Sequence, residues 1–259
     1  MDDLLLYPYP TYIANKTVAG CVAAMVGISL IAWFIQSCQA RFRPPRISFL
    51  LLASHLTIVI ELIVRATVPE DRQNSKTIFI IVNSLFALSQ RMIIISNYVF
   101  ILEVHYVRSL SSRLILIGAI SCAIMSAILM VPINMLSFDP EKINASFLFR
   151  KLSASFLFAV AILFYPVWYW SKTVKDMTMQ AIILVIVSST LCAIATLFTI
   201  IQSIPSFYDQ TYSHEVWFYA LQIAPIVFAH FAWSVFHPKR SLVSSEPLIS
   251  ATGDDLSRL

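Results

Sequence analysis

Glu61 and Arg65 lie four residues apart in an apolar run and can pair on one helix face. Glu215, Tyr219 and Gln222 repeat at i, i+4 and i+7 at the head of another run, and Gln202 closes the run before it. His55, Arg91 and His230 fall near the middle of theirs. Ionisable groups inside apolar segments are costly and face an interior or a cavity. The chemistry they offer is capture of a polar head group. A carboxylate suits a long-chain base; a guanidinium suits a phosphate. Plainer roles stand beside this one. Arg65 can snorkel, with Glu61 only neutralising it. Glu215 suits the positive end of a helix dipole. His55 and His230 can be hydrogen-bonded core residues. Arg91 is too central to reach a surface, so it requires an acidic, phosphate or carbonyl partner, with Gln90, Ser96 and Asn97 near it on the same helix.

The elements that carry these residues follow from composition. Of 259 residues, 58% are apolar and only 12% charged, against roughly 25% in soluble domains. Mean hydropathy is +0.78. So few charges cannot cover a water-soluble globule, which leaves a polytopic membrane protein and turns the net charge of +4 into a matter of sidedness, not of nucleic acid. A span needs about 20 apolar residues. Such runs extend over 17–40, 47–68, 77–107, 114–136, 152–170, 178–204 and 215–236. The third contains Arg91, but the flanking segments are each too short to cross alone, so it reads as one long helix. The stretch 137–151 reads as a polar loop. Backbone groups in lipid must be paired internally, and no dyad alternation is present, so the fold class is all-α with seven transmembrane helices. Ala19, Ala23 and Gly27 read as a helix-packing stripe. Cys21, Cys38, Cys122 and Cys192 lie in apolar runs and read as packing residues.

Two signals orient the chain. With the N-terminus outside, the cytoplasmic side holds Arg41, Arg43, Arg46, Arg108, Arg113, Lys172, Lys175, Lys239 and Arg240. The outer side holds the fewer Lys16, Arg72, Lys76, Lys142, Arg150 and Lys151, which is the expected bias. The N-x-S/T acceptors Asn15 and Asn144 also fall outside. The expected organisation is an extracellular segment 1–16, a membrane domain 17–238 and a disordered cytoplasmic tail 239–259. Asp2 and Asp3 replace a basic leader, so the first span is expected to be its own insertion signal.

Several chemistries fail on inspection. No glycine precedes a lysine, so no phosphate loop exists. Residues 215–236 contain no lysine for a retinal Schiff base. His230 and His237 are seven apart, the wrong spacing for a helical zinc pair. No Ser, His and Asp set shares one depth. The expectation is no catalytic residue, no metal, no cofactor and no enzyme.

Ser213-His-Glu-Val-Trp-Phe-Tyr-Ala-Leu-Gln-Ile-Ala-Pro225, closing with His237-Pro238, resembles the last span of the fungal RTA-like family of lipid-translocating exporters. The family pattern is Glu, three residues, Tyr, two residues, Asp, then Pro, ending in His-Pro. Leu6-Tyr-Pro-Tyr-Pro10 ahead of Asn15 is similar to its Tyr/Pro-rich N-terminal segment. Glu215, Tyr219 and Pro225 match, and Glu61 matches more loosely. Gln222 stands where the family has Asp, and Ala195, Thr199 and Gln202 stand in place of its Arg, Arg and Glu. The resemblance implies a plasma-membrane exporter of amphipathic lipids or lipophilic toxins, sphingoid-base or sterol-like, that confers resistance. Residues and resemblance together nominate Glu61, Arg65, Arg91, Glu215, Tyr219 and Gln222 as ligand-binding. The partner would be a membrane lipid or lipophilic small molecule. The alternative is a seven-helix lipid-sensing receptor or regulator.

Overall fold

The computed structural model describes residues 7–10, 12, 14–104, 110–170 and 177–238. Every regular element among them is helical. Seven helical stretches are long and apolar enough to cross a membrane: Lys16–Gln39, Pro45–Thr67, Lys76–Glu103, Leu114–Leu136, Pro140–Tyr169, Met179–Ile201 and Glu215–Val235. The chain is thus an integral, multi-pass, all-α membrane protein. Its outer surface agrees: Ile28, Ile31, Phe34 and Ile35 on the first span, and Leu114, Ile117, Ile124 and Ile128 on the fourth, face outward from the bundle. In water such a continuous apolar surface would drive association. The residues 105–109, 171–176 and 239–259, which carry Arg108, Lys172, Lys175, Lys239, Arg240 and the expected tail, lie outside the described residues.

Helix α1 (Lys16–Gln39) starts on Asn15, whose side-chain oxygen accepts the Thr17 and Val18 N–H groups. It ends in a tight turn that places Arg41 and Phe42 at φ 54° and 51°, the left-handed region that side chains rarely adopt. Pro45 then occupies the first position of α2 (Pro45–Thr67), where a missing N–H costs nothing. Helix α3 (Lys76–Val104) is one uninterrupted 29-residue helix with Arg91 inside it, as the sequence predicts.

Prolines shape the later spans. The fourth is α4 (Leu110–Ile128) and α5 (Met130–Leu136), broken at Leu129. Pro132 cannot donate to the Ile128 carbonyl four residues back, which places the break there. Helix α6 (Ile143–Trp170) begins eight residues before Lys151, so the expected polar loop 137–151 shrinks to a short connection. The polar residues of this stretch are tolerated in a helix because Ser146 and Ser153 turn inward, where other helices supply their hydrogen bonds. Helix α7 (Met179–Ile201) and the short α8 (Pro205–Tyr212) lead to the seventh span. That span is α9 (Glu215–Phe218), a π-helical turn (Tyr219–Ile223) and α10 (Ala224–Val235). Pro225 leaves the Leu221 carbonyl without its α-helical donor, and the backbone widens just before it.

Helix α3 is the hub, touching α2, α4, α6, α7 and α10; α1 closes against α2 and α10, and α6 against α4 and α7. The core holds Trp33, Leu51, Ile58, Ile93, Phe100, Leu184 and Trp233. Ala19 and Ala23 are buried, as a packing stripe requires, but Gly27 is not part of it: a Cβ there would meet nothing within 4 Å.

Two helix pairs are fastened in the same way. Ser54 donates to the Ser89 carbonyl (2.9 Å) and Ser89 to the Ser54 carbonyl (3.1 Å), joining α2 to α3. Ser126 and Ser153 exchange the same pair of bonds at 2.9 and 2.8 Å, joining α4 to α6. Each hydroxyl thereby satisfies its donor in a medium without water.

Candidate functional site

The end of the bundle at which α1 begins holds the polar groups. On α2, Arg65 donates through Nε to Glu61 Oε1, one turn away. Glu61 is 0% exposed and Arg65 14%. The Arg65 guanidinium lies over the Phe218 ring at 4.1 Å from its centroid, so the cation is held between a carboxylate and an aromatic face. The other carboxylate oxygen of Glu61 and the Tyr219 hydroxyl are buried without a hydrogen-bond partner among the described residues.

Glu215 does something else. Both of its carboxylate oxygens accept the backbone N–H of Asn15, at 2.9 and 3.0 Å. It joins the start of α1 to the start of the seventh span. Gln222 donates to Gln202 Oε1, and both residues are buried.

Arg91 is 5% exposed and carries the carbonyl-type partners that its depth requires. It donates to the Ala87 carbonyl (2.7 Å), the Ser126 carbonyl (3.1 Å), the Ser126 hydroxyl (2.7 Å) and the Ser153 hydroxyl (3.2 Å). Its Nε is buried, with no partner among the described residues. Ser96 bonds back to the Met92 carbonyl and Asn97 accepts from Ser188, so neither attends Arg91.

Two adjoining cavities open among these groups. The first holds about 680 Å³ of unfilled space, counted to its mouth, and is lined by residues that include Arg91, Gln90, Arg150, Phe86, Leu157 and Gln222. The second, about 630 Å³, is lined by Tyr12, Arg65, Gln73, Val82 and Phe218 among others. Phe79, Asn83 and Tyr212 line both. Both are open clefts with mostly apolar walls and a few polar groups, the composition of small-molecule sites. Of the six nominated residues, Arg65, Arg91 and Gln222 line a cavity; Glu61 is paired with Arg65, Tyr219 is not among the lining residues, and Glu215 is turned to Asn15.

Arg150 is the residue that sequence reasoning placed elsewhere. It sits in the second turn of α6, not in an outer loop, and donates to the Tyr212 hydroxyl at 2.7 Å. Its guanidinium also lies 5.3 Å from the centroid of the Tyr208 ring. The signal available was Ser146, Arg150 and Ser153 at helical spacing.

Residues 7 and 8 of the N-terminal segment are bonded to this end of the bundle. Tyr7 bonds to the Ser146 hydroxyl (2.8 Å), and Tyr208 donates to the Pro8 carbonyl (2.8 Å). Burial pushes the Tyr208 and Tyr12 hydroxyls well above the usual tyrosine range, although Arg150 and Arg65 respectively pull the other way.

Deeper in the bundle, the rings of His55 and His230 meet edge to face with centroids 4.1 Å apart. Each places Nδ1 at 2.8 Å from a carbonyl oxygen four residues back, which only a protonated Nδ1 can satisfy. Their Nε2 atoms face serines: Ser29 and Ser234 for His55, Ser54 for His230. These contacts are those of hydrogen-bonded core histidines.

Asn15 caps α1, and Asn144 is exposed in the first turn of α6, at the same end of the bundle. No protein-family model, no characterised protein and no solved structure matches this chain. The likeness to the RTA-like family therefore rests on the sequence resemblance itself: Glu215, Tyr219, Pro225, His237-Pro238, the Leu6–Pro10 segment and, more loosely, Glu61.

Proposed function

We propose that the chain is a transporter that moves an amphipathic lipid or lipophilic toxin through the bundle and so confers resistance to it, without enzymatic chemistry. The single observation that carries this reading is the pair of adjoining cavities, apolar-walled with guanidinium groups set into them. A polar head lodges on those groups while the tail lies against Phe79, Val82, Phe86 and Leu157. The lining favours a neutral or acidic head over a free long-chain base, because Arg65, Arg91 and Arg150 repel a cation, no acid is among the described lining residues, and Glu61 is already paired with Arg65. The RTA-like resemblance supports the same reading and a place in the plasma membrane.

The test is translocation. The purified chain is placed in vesicles with lipids of different head groups labelled in one leaflet. Movement without any partner protein supports the transporter. Binding without movement favours the lipid-sensing receptor instead.

A further inference from the structure

The Arg91 side chain is buried, and no described residue gives it a counter-charge. All four of its hydrogen bonds go to neutral oxygens, and no described carboxylate lies within ion-pair distance of it. A buried cation in that state is poorly compensated, because carbonyl and hydroxyl dipoles replace solvation but do not neutralise charge. Beside it, Gln90 is 2% exposed and its Nε2 is buried without a partner among the described residues. Both residues line the first cavity. A second cation, Arg150, lines the same cavity. Arg150 lies three residues before Ser153 on α6, and Ser153 is bonded to Arg91, so the two guanidiniums flank one space. Tyr212 and the rings of Tyr208 and Tyr212 hold Arg150 in place, and no described carboxylate pairs with it. Two cations, two N–H donors without partners and no described acid make up the complement of an oxyanion. Ile133, Ala154 and Leu157 continue the same wall as an apolar surface.

We infer that this cavity is an anion site, in which Arg91 Nε and Gln90 Nε2 donate to a phosphate or carboxylate group and Arg150 supplies the second charge. The group is the head of a single-chain amphiphile whose alkyl chain follows the α6 wall. The inference rests on the transporter reading only for that chain; the anion chemistry stands on the cavity itself. A free phosphate carries the same chemistry as a phosphorylated head group, so the test separates them.

The full chain is reconstituted in nanodiscs of phosphatidylcholine, and equilibrium binding of radiolabelled dodecyl phosphate is compared with that of dodecyltrimethylammonium and inorganic phosphate. Dodecyl phosphate is expected to bind at least about tenfold more tightly than the cationic probe. Arg91→Gln is expected to weaken it by about tenfold or more, as loss of a charge-assisted contact does. Because Arg91 also fastens α3 to α4 and α6, that variant can fail to fold. Gln90→Leu leaves those bonds intact, and a loss of about threefold to tenfold is expected from it. Failure of inorganic phosphate to compete at equal concentration assigns the site to a lipid head; full competition assigns it to a soluble anion. Equal binding of the anionic and cationic probes, or undiminished binding in either folded variant, overturns the inference. Selective binding with no movement across vesicles leaves the site standing and removes the transporter. Movement of amphiphiles with no preference for an anionic head does the reverse.

Discussion

Glu215 grips the backbone N–H of Asn15 with both carboxylate oxygens, across 200 residues of chain. The contact ties the first residue ahead of α1 to the first residue of the seventh span. Glu215→Ala is expected to destabilise the protein by about 1 kcal/mol, a charge-assisted bond discounted for its exposure. It should also speed tryptic cleavage at Lys16. If Glu215→Gln stops amphiphile movement while Lys16 stays protected, Glu215 is a head-group ligand and the latch is incidental.

Glu61 and Arg65 form a buried pair whose members depend on each other unequally. Arg65→Met strands a carboxylate that is 0% exposed and is expected to cost about 3–5 kcal/mol. Replacing both, with Glu61→Met added, is expected to be roughly neutral for stability. Thermal unfolding of the three proteins in one detergent checks this. A double variant as unstable as Arg65→Met would mean that the pair is not coupled. The double variant should also change which amphiphiles are moved, since it removes one cation from the second cavity.

The π-helical turn carries a separate expectation. With Pro225→Ala the Leu221 carbonyl regains a donor, and Tyr219–Ile223 can relax to an α-helix. That turns the residues before it by about 100° relative to α10. Gln222 then leaves Gln202. Cysteines at positions 202 and 222, joined by a short bifunctional thiol reagent, should crosslink in the parent and fail to do so beside Pro225→Ala. Equal crosslinking in both would mean that the turn survives without proline.

Sidedness is expected to be N-out and C-in. Asn144 is exposed at the start of α6, so Asn144→Gln should remove a glycosidase-sensitive mass, and a reporter at Leu259 should be reachable only from the cytoplasm. A reporter accessible on intact cells would overturn both the orientation and the RTA-like likeness.

What could be read from the sequence tracks how local each cause is. Seven apolar runs announce seven helices because lipid demands internal pairing residue by residue. Arg91 within one long helix was legible for the same reason: neither half could cross alone. The break at Leu129 and the π-helical turn were signalled by Pro132 and Pro225, yet a hydropathy run passes through both undisturbed. Arg150 was missed because its partner Tyr212 is 62 residues away. Hydropathy counts a charged residue as loop when its compensation lies on another helix. His55 and His230 were legible as sharing a depth, but their edge-to-face contact depends on how α2 and α10 are rotated, which spacing within one helix does not encode.

The two serine exchanges set a mechanical limit. Ser54 with Ser89, and Ser126 with Ser153, each hold two backbones in fixed register, because a slip of one residue would break both bonds at once. The bundle therefore contains two riveted girders, α2 with α3 and α4 with α6. A rearrangement within α2, α3, α4 and α6 that keeps the rivets must part the girders from each other, along a seam crossed by the Arg91 side chain and by the bond from Tyr98 to the Val160 carbonyl. The first cavity lies on that seam, so whatever occupies it sits where the two halves would swing.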